Sequence, residues 1–269
     1  MIYSLLQSNA APANAPGTVK LVPGKTTVAC LGASIVHGRV SFDIVGALQA
    51  QLGEQFQVVN AGLNGDLAWN ALSRLDSVIA CRPDYVIVLV GSNDVMAAMN
   101  ARAERRYRKM KKLPTRPTRR WYAENLRAIV QQLRAQTSAE IALCSLPPIG
   151  EQFDAPINLR IAAYNAVVRE LAKEHGAAYL PIHEAIAAAI SGSGSAQPKA
   201  TEGSPWLMLS AICEHYVLGS SFDAIAHRHG FAVHTDGVHL NSYAGRLIVE
   251  RFAAFVRAHA EHISHERTS

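Results

Sequence analysis

The sequence predicts an α/β protein in which helices cover both faces of a parallel β-sheet, a three-layer α/β/α sandwich. Short apolar and β-branched runs alternate with longer amphipathic stretches almost to the C-terminus, the pattern of repeated βα units. Residues 85–90 are continuously apolar, as in a parallel strand buried on both faces. Hydrophobic residues make up 49% of the 269-residue chain and charged residues 17%, which indicates a folded protein with a substantial core.

The individual elements are predicted from the period of their apolar residues. Strands, which are short and rich in apolar and β-branched residues, are expected at 27–31, 57–59, 85–90, 141–146 and 178–180. Helices, which repeat their apolar residues three and four positions apart, are expected at 42–52, 66–80, 121–135, 159–174 and 242–259. Because strands and helices alternate in this order, right-handed crossovers and a parallel sheet are expected.

A basic segment, residues 102–120, interrupts this pattern. The formal net charge of the chain is +5, and this segment contributes +9 from ten Lys and Arg residues and one acid, Glu104, so the remainder is mildly acidic at −4. A nucleic-acid binder would more often spread its cations along a face, so that class is disfavoured. Pro114 and Pro117 predict a loop here, inserted at about 101–118. Such a loop could attract an anionic substrate or surface, or it could be a solvated, mobile segment that aids solubility.

A second insertion is expected at about 191–230. It opens with the Gly- and Ser-rich residues 191–195, a flexible connection, and continues with apolar residues that suggest one or two amphipathic helices. These helices could form a cap over a substrate or simply belong to the core. With both insertions included, a single domain is predicted at 26–262, after an N-terminal leader at 1–25.

Composition also disfavours several kinds of site and location. The four cysteines, at positions 30, 81, 144 and 213, are far apart, so neither disulfides nor a cysteine-bound metal is expected. No apolar run approaches the roughly 18 residues of a membrane span. The first 23 residues lack the basic start and long apolar stretch of a secretory signal, which favours a cytoplasmic location.

Candidate functional residues follow the predicted strands, because ligands of parallel α/β folds bind beyond the carboxyl ends of the strands. The stretches at these ends are 32–34, 60–65 and 91–94, and a fourth polar stretch, 236–241, precedes the last helix. Ser34 is a candidate nucleophile, His239 a candidate base, and Asp236 a candidate carboxylate to orient that base from three residues away.

The same stretches contain candidate hydrogen-bond donors for an oxyanion. The backbone N–H groups of Ser34 and Gly62 and the side-chain amide of Asn93 are expected to form an oxyanion hole. In such a set His239 can act as the base that takes the Ser34 proton.

These ordered stretches resemble the SGNH/GDSL hydrolase family, which is named after Ser, Gly, Asn and His in four blocks. Ser34, Gly62, Asn93 and His239 match the blocks in order, and Asp236 is the third triad member. The resemblance implies a flavodoxin-like sheet and a serine esterase, lipase or acetylesterase activity without metal or organic cofactor. Ser34 would then attack an ester carbonyl while His239 takes its proton, and water would hydrolyse the acyl-enzyme. One position departs from the family, because Ala33 replaces the Asp that usually precedes the nucleophile.

Three alternatives stay open at this stage. The same triad could transfer the acyl group to a sugar or another alcohol, and the fold could serve as a non-catalytic carbohydrate- or lipid-binding module. The histidines near the C-terminus could instead hold a metal together with Asp236; they are His227, His229, His234 and His239. Asp223 is a second candidate for the triad carboxylate. The acyl length and the alcohol of the ester depend on the insertions and are not predicted.

Overall fold

The computed structural model describes residues 11–193 and 204–266. Its five strands are β1 (Thr26–Gly32), β2 (Phe56–Gly62), β3 (Tyr85–Leu89), β4 (Glu140–Cys144) and β5 (Ala178–Leu180). The described helices are α1 (Ser34–His37), α2 (Ile44–Leu52), α3 (Ala68–Ser73), α4 (Leu75–Ile79), α5 (Ser92–Ala97), α6 (Ala101–Lys111), α7 (Arg119–Gln136), α8 (Pro156–Glu174), α9 (Ile182–Gly192), α10 (Pro205–Tyr216), α11 (Phe222–His229) and α12 (Ser242–Glu266).

All five strands are parallel and form one sheet in the order β2-β1-β3-β4-β5. This is the flavodoxin-like order, whose ligand site lies where the strand order reverses beside β1. In the register of the sheet, Gly32 at the end of β1 is opposite Gly62 of β2 and Leu89 of β3. The stretches that follow these three strands therefore start at the same edge, and the predicted fold class is confirmed.

Two apolar cores lie on opposite faces of the sheet, because successive strand side chains point to opposite sides. Leu31 and Val88 pack into one core, which α3, α4, α7 and α8 cover. Cys30 and Ile87 pack into the other, which α2, α9 and α12 cover. Each strand is thus buried on both faces, and this explains why its sequence is apolar without alternation.

The expected helix at 66–80 is divided into α3 and α4 at Arg74, and α1, α5 and α9 were not predicted.

The prediction of a loop for the basic segment was wrong, because most of it is helix α6. The Asn100 side chain caps α6 by accepting hydrogen bonds from the N–H groups of Arg102 and Ala103. Both prolines come after the helix has ended, so its interior holds only residues that tolerate or favour helix, mostly Ala, Arg and Lys.

The second insertion contains two helices, α10 and α11, as the apolar pattern suggested. The Gly- and Ser-rich connection extends into residues 194–203, which lie outside the described residues.

Part of the expected leader is held against the edge strand β2: Asn14 bonds to both Val58 and Asn60, and Val22 bonds to Gln57. No helix in the described part of the chain is long and apolar enough to cross a membrane.

Candidate active site

The three predicted triad side chains form one chain of hydrogen bonds at the carboxyl edge of the sheet. The Nε2 atom of His239 lies 2.9 Å from the Oγ atom of Ser34, and its Nδ1 atom lies 2.7 Å from the Oδ2 atom of Asp236. Ser34 is 9% exposed, His239 5% and Asp236 2%. Ser34 is the first residue of α1, and the other two lie in the loop before α12.

Local backbone geometry explains how Ser34 reaches this position. The chain leaves β1 at Gly32 and enters α1 two residues later, and a Cβ atom on Gly32 would overlap the side chain of Val36 and lie 2.5 Å from the Leu89 carbonyl oxygen. The glycine therefore allows the strand and the helix to approach closely. At the start of α1, the Ser34 N–H has no acceptor among the described residues and is free to meet a ligand.

The Asp236 carboxylate organises its own loop as well as His239. Its Oδ1 atom accepts hydrogen bonds from the N–H groups of Val238 and His239, both at 2.9 Å, and Gly237 between them has a φ of 91°. Burial alone would raise the pKa of Asp236, but the charge of His239 and these hydrogen bonds hold it below its ordinary value. The carboxylate is therefore charged and can stabilise a protonated His239.

The Asn93 side chain is held in place by hydrogen bonds at both of its ends. Its Nδ2 atom donates to the backbone oxygen of Asp66 at 3.0 Å, and its Oδ1 atom accepts from the Tyr107 hydroxyl at 2.9 Å. An amide nitrogen carries two hydrogens, so one N–H remains for a ligand. The preceding Gly91 has a φ of 142°, and the turn it makes starts α5 with Asn93 in its first turn.

Gly62 does not offer the free N–H that its expected role requires. Its N–H donates to the Oδ1 atom of Asn60 at 3.0 Å, and a Cβ atom here would overlap the backbone of α1 at Val36 and His37. The residue therefore allows β2 to pack closely against the nucleophile helix. Gly65, in the turn that follows, has a φ of 75°, and its N–H has no acceptor among the residues described.

The basic segment reaches the site through Tyr107 and Lys111, which were not among the predicted site residues. Tyr107 on α6 is buried and bonds to Asn93, while Lys111 bonds to both the backbone oxygen of Asn64 and the carboxylate of Asp66. Tyr107 is the one aromatic residue among residues 102–120, and this was the available sequence signal that it is buried.

Several of the charges in the basic segment are neutralised: Arg108 and Arg116 pair with Glu104, and Arg120 pairs with Glu124.

A buried carboxylate, Glu151, also holds the loop of Asp236 and His239, and it was not predicted. It accepts hydrogen bonds from the N–H groups of Ala232, Val233 and His234, and it lies 3.3 Å from the Nδ1 atom of His234. The other ring nitrogen of His234 lies 3.0 Å from the Pro148 backbone oxygen. These contacts join the segment after β4 to the loop that carries the triad residues.

The remaining candidate residues have other partners. His229 bonds to Glu214 and to the Thr235 backbone oxygen, and Asp223 accepts from the Ser242 N–H at the start of α12. In the part of the chain that is described, no three His, Cys, Asp or Glu side chains are placed to hold a metal ion. The small pocket at Ser34 is lined by residues 33–35, 89–93, 96 and 238, so neither α10 nor α11 covers it.

Comparison with known proteins identifies the family and the fold. A model of the GDSL-like lipase/acylhydrolase family matches residues 30–198, which is more than half of the chain but ends before Asp236 and His239. No curated protein sequence matches.

One solved structure that resembles this one is an acetyl xylan esterase, AlAXEase, with a TM-score of 0.62 and 18% identity over 86% of this chain and 99% of that chain. Another is the acetylxylan esterase Axe2 from Geobacillus stearothermophilus, with a TM-score of 0.58 and 20% identity over 86% of this chain and 94% of that chain. A third is a lipase/acylhydrolase from Enterococcus faecalis, with a TM-score of 0.58 and 17% identity over 87% of this chain and 96% of that chain. At these identities the structures establish a shared fold, while the family match is made by the sequence itself. The chain therefore belongs to the GDSL-like lipase/acylhydrolase family, a family of carboxylic ester hydrolases.

Proposed function

We propose that this ester hydrolase acts through a Ser34 nucleophile and an acyl-enzyme intermediate. The observation that carries the proposal is the buried hydrogen-bond chain from Ser34 through His239 to Asp236, at 2.9 Å and 2.7 Å. A serine hydroxyl is a weak nucleophile on its own, and an oriented imidazole activates it.

In the first step, Ser34 Oγ bonds to the ester carbonyl carbon while its proton passes to Nε2 of His239. The tetrahedral intermediate then collapses, the bond to the alcohol oxygen breaks, and His239 returns the proton to that oxygen. In the second step, His239 takes a proton from water, the resulting hydroxide attacks the acyl-enzyme, and the acid leaves as Ser34 recovers its proton. Asp236 keeps Nδ1 of His239 protonated and stabilises the positive charge that forms twice in the cycle.

The oxyanion of each tetrahedral intermediate needs donors that are already oriented. We infer that the Ser34 N–H, the second N–H of the Asn93 amide and the Gly65 N–H supply them. Gly65 takes the place expected for Gly62, because the Gly62 N–H is occupied by Asn60. The support for Gly65 is its unpaired N–H and its position directly before Asp66, whose backbone oxygen holds Asn93.

The size of the pocket supports a short acyl group. Its volume is about 20 Å³, close to the space of one water molecule, and most of its lining is apolar, including Ile35, Val90, Met96 and Val238. An acetyl methyl group suits this space, whereas a long acyl chain would need another path. We therefore propose acetyl esters as substrates. The acetylxylan esterases with the same fold make acetylated carbohydrates the first substrates to test.

The test of the mechanism is the variant Ser34→Ala with 4-nitrophenyl acetate and acetylated xylo-oligosaccharides. Loss of the nucleophile should lower kcat by roughly a millionfold, because triad members act as a unit. Ser92→Ala removes a hydroxyl from the same pocket and should retain activity. Circular dichroism and thermal melting should be unchanged in both variants. Turnover by Ser34→Ala near that of the unmodified protein would overturn the mechanism.

A further inference from the structure

A second cavity, separate from the pocket at Ser34, lies at the opposite end of helix α5. Its volume is about 440 Å³, and its wall includes Ala97 and Ala98 at the C-terminal end of α5. Asn93 is four residues earlier on the same helix, which corresponds to about 6 Å along the helix axis. The cavity therefore lies next to the proposed active site without being part of it.

Three arginines give this cavity a positive lining. Arg116, Arg119 and Arg160 line it together with one acid, Glu104, so the charged side chains sum to +2. Glu104 is paired with Arg116 at 3.0 Å. Arg119 and Arg160 have no acidic partner within the described ranges, and the hydrogen bond of Arg160 to the Ala98 backbone oxygen leaves the rest of its guanidinium free.

Two helices also begin at the cavity. Ala101, the first residue of α6, and Arg119, the first residue of α7, are both in its wall. These helices have 11 and 18 residues. The side chains of Asn100 and Thr118 cap their first turns, and the N-terminal end of each helix carries partial positive charge. The positive ends of two helices and two unpaired arginines therefore face one cavity.

Tyr164 also lines the cavity, and its hydroxyl is a buried, unused donor. The residue is 3% exposed, and its hydroxyl has no hydrogen-bond partner in the described structure. Burial and the charge of Asp94 raise the pKa of this hydroxyl, and the charges of Arg160 and Arg119 act on it in the opposite direction. A buried donor without an acceptor is uncommon in a folded protein.

We propose that this cavity binds a small oxyanion, a carboxylate or a phosphate group, through Arg119 and Arg160. Guanidinium groups bind both kinds of anion through paired hydrogen bonds. The anion comes either from solution or from a charged group on the alcohol side of an ester that is bound at Ser34.

The binding test uses inorganic phosphate and isothermal titration calorimetry at low ionic strength. The unmodified protein should show saturable binding that an equal ionic strength of chloride does not reproduce. Arg119→Gln/Arg160→Gln should weaken it by at least about 100-fold, since two charge-assisted hydrogen bonds are lost and each contributes roughly tenfold or more in affinity. The matched control Arg105→Gln/Arg120→Gln removes the same charge from exposed positions outside the cavity and should bind phosphate normally.

Absence of saturable binding, or equal binding by the cavity variant, would overturn the proposal. This experiment does not require ester hydrolysis, so it stands apart from the proposed function. A kinetic comparison then separates the two sources of the anion. If the cavity variant lowers kcat/KM for 4-acetoxybenzoate but not for the neutral 4-acetoxybenzamide, the anion belongs to the substrate. If both esters respond equally while phosphate binding is lost, the anion comes from solution.

Discussion

At the scale of single residues, the proposed chemistry depends on a neutral His239 between a hydroxyl and a charged carboxylate. Only the neutral imidazole can take the proton from Ser34. The neighbouring Asp236 selects the productive tautomer because it holds Nδ1–H at 2.7 Å.

We predict that Asp236→Asn lowers kcat by about 10⁴-fold, because the amide would stabilise the wrong tautomer and no longer offset the charge of the imidazolium. The measurement is the pH profile of kcat and kcat/KM with a 4-nitrophenyl ester. Asp223→Asn is the matched control, since Asp223 bonds to the Ser242 N–H and not to His239. An Asp236→Asn enzyme with an unchanged profile would exclude this carboxylate from the triad.

At the scale of elements, helix α6 supports the proposed oxyanion hole from outside the sheet. The Tyr107 hydroxyl donates to Asn93, and Lys111 bonds to the stretch between β2 and α3 at Asn64 and Asp66. A helix made largely of basic residues is thus fixed to the rest of the protein by contacts that include one buried aromatic side chain and one ion pair. Tyr107 is a positioning residue, because it acts through Asn93.

We predict that Asn93→Ala lowers kcat by about 100- to 1,000-fold, as for loss of one oxyanion donor. Tyr107→Phe should lower kcat by roughly threefold to tenfold with little change in KM, since one hydrogen bond that orients Asn93 is lost. In the double variant Tyr107→Phe should add almost nothing, because its effect needs the Asn93 side chain.

Tyr179→Phe, on β5 and away from the pocket, is the control and should leave kcat unchanged. If the Asn93 and Tyr107 effects were additive, Tyr107 would act on the structure in general and not through Asn93.

At the scale of the whole molecule, the active site joins parts of the chain that are 205 residues apart, and buried carboxylates help to hold them together. Glu151 ties the segment after β4 to the loop of Asp236 and His239 through three backbone N–H groups. Burial alone would raise the pKa of Glu151, but His234 and these N–H groups hold it below its ordinary value of 4.5. The stabilisation by this charge is therefore complete above pH 4.5 and is lost as the pH falls through the lowered pKa.

We predict that the free energy of unfolding of the unmodified protein decreases below about pH 4.5 more steeply than that of Glu151→Gln. The measurement is urea unfolding at a series of pH values. The variant should also have a lower kcat at neutral pH, because the loop that carries the triad loses one of its anchors. Glu170→Gln, an exposed position on α8, is the control and should behave like the unmodified protein. Equal acid dependence of the unmodified protein and Glu151→Gln would assign the acid sensitivity to other carboxylates.

Sequence pattern alone determined the layers of this protein and the stretches that form its site. A parallel strand buried on both faces must be apolar throughout, so runs such as residues 85–90 indicate the sheet directly. Since the ligand site of such a sheet lies beyond its strand ends, the positions of Ser34 and Asn93 were accessible from the sequence. Asp236 and His239 are three positions apart, and this short separation also made their contact predictable as a local turn.

Only the tertiary structure decided which groups support these residues, because their contacts cross long distances along the chain. Whether the Gly62 N–H is free depends on the conformation of Asn60, and that conformation follows from packing. Pro114 and Pro117 suggested a loop, yet α6 forms before them and is held by the contacts of Tyr107 and Lys111 with residues from other elements. Glu151 is 83 residues from His234, so no local pattern could pair them. Local periodicity reports burial and backbone conformation, whereas hydrogen-bond partners are chosen by the packing of the whole chain.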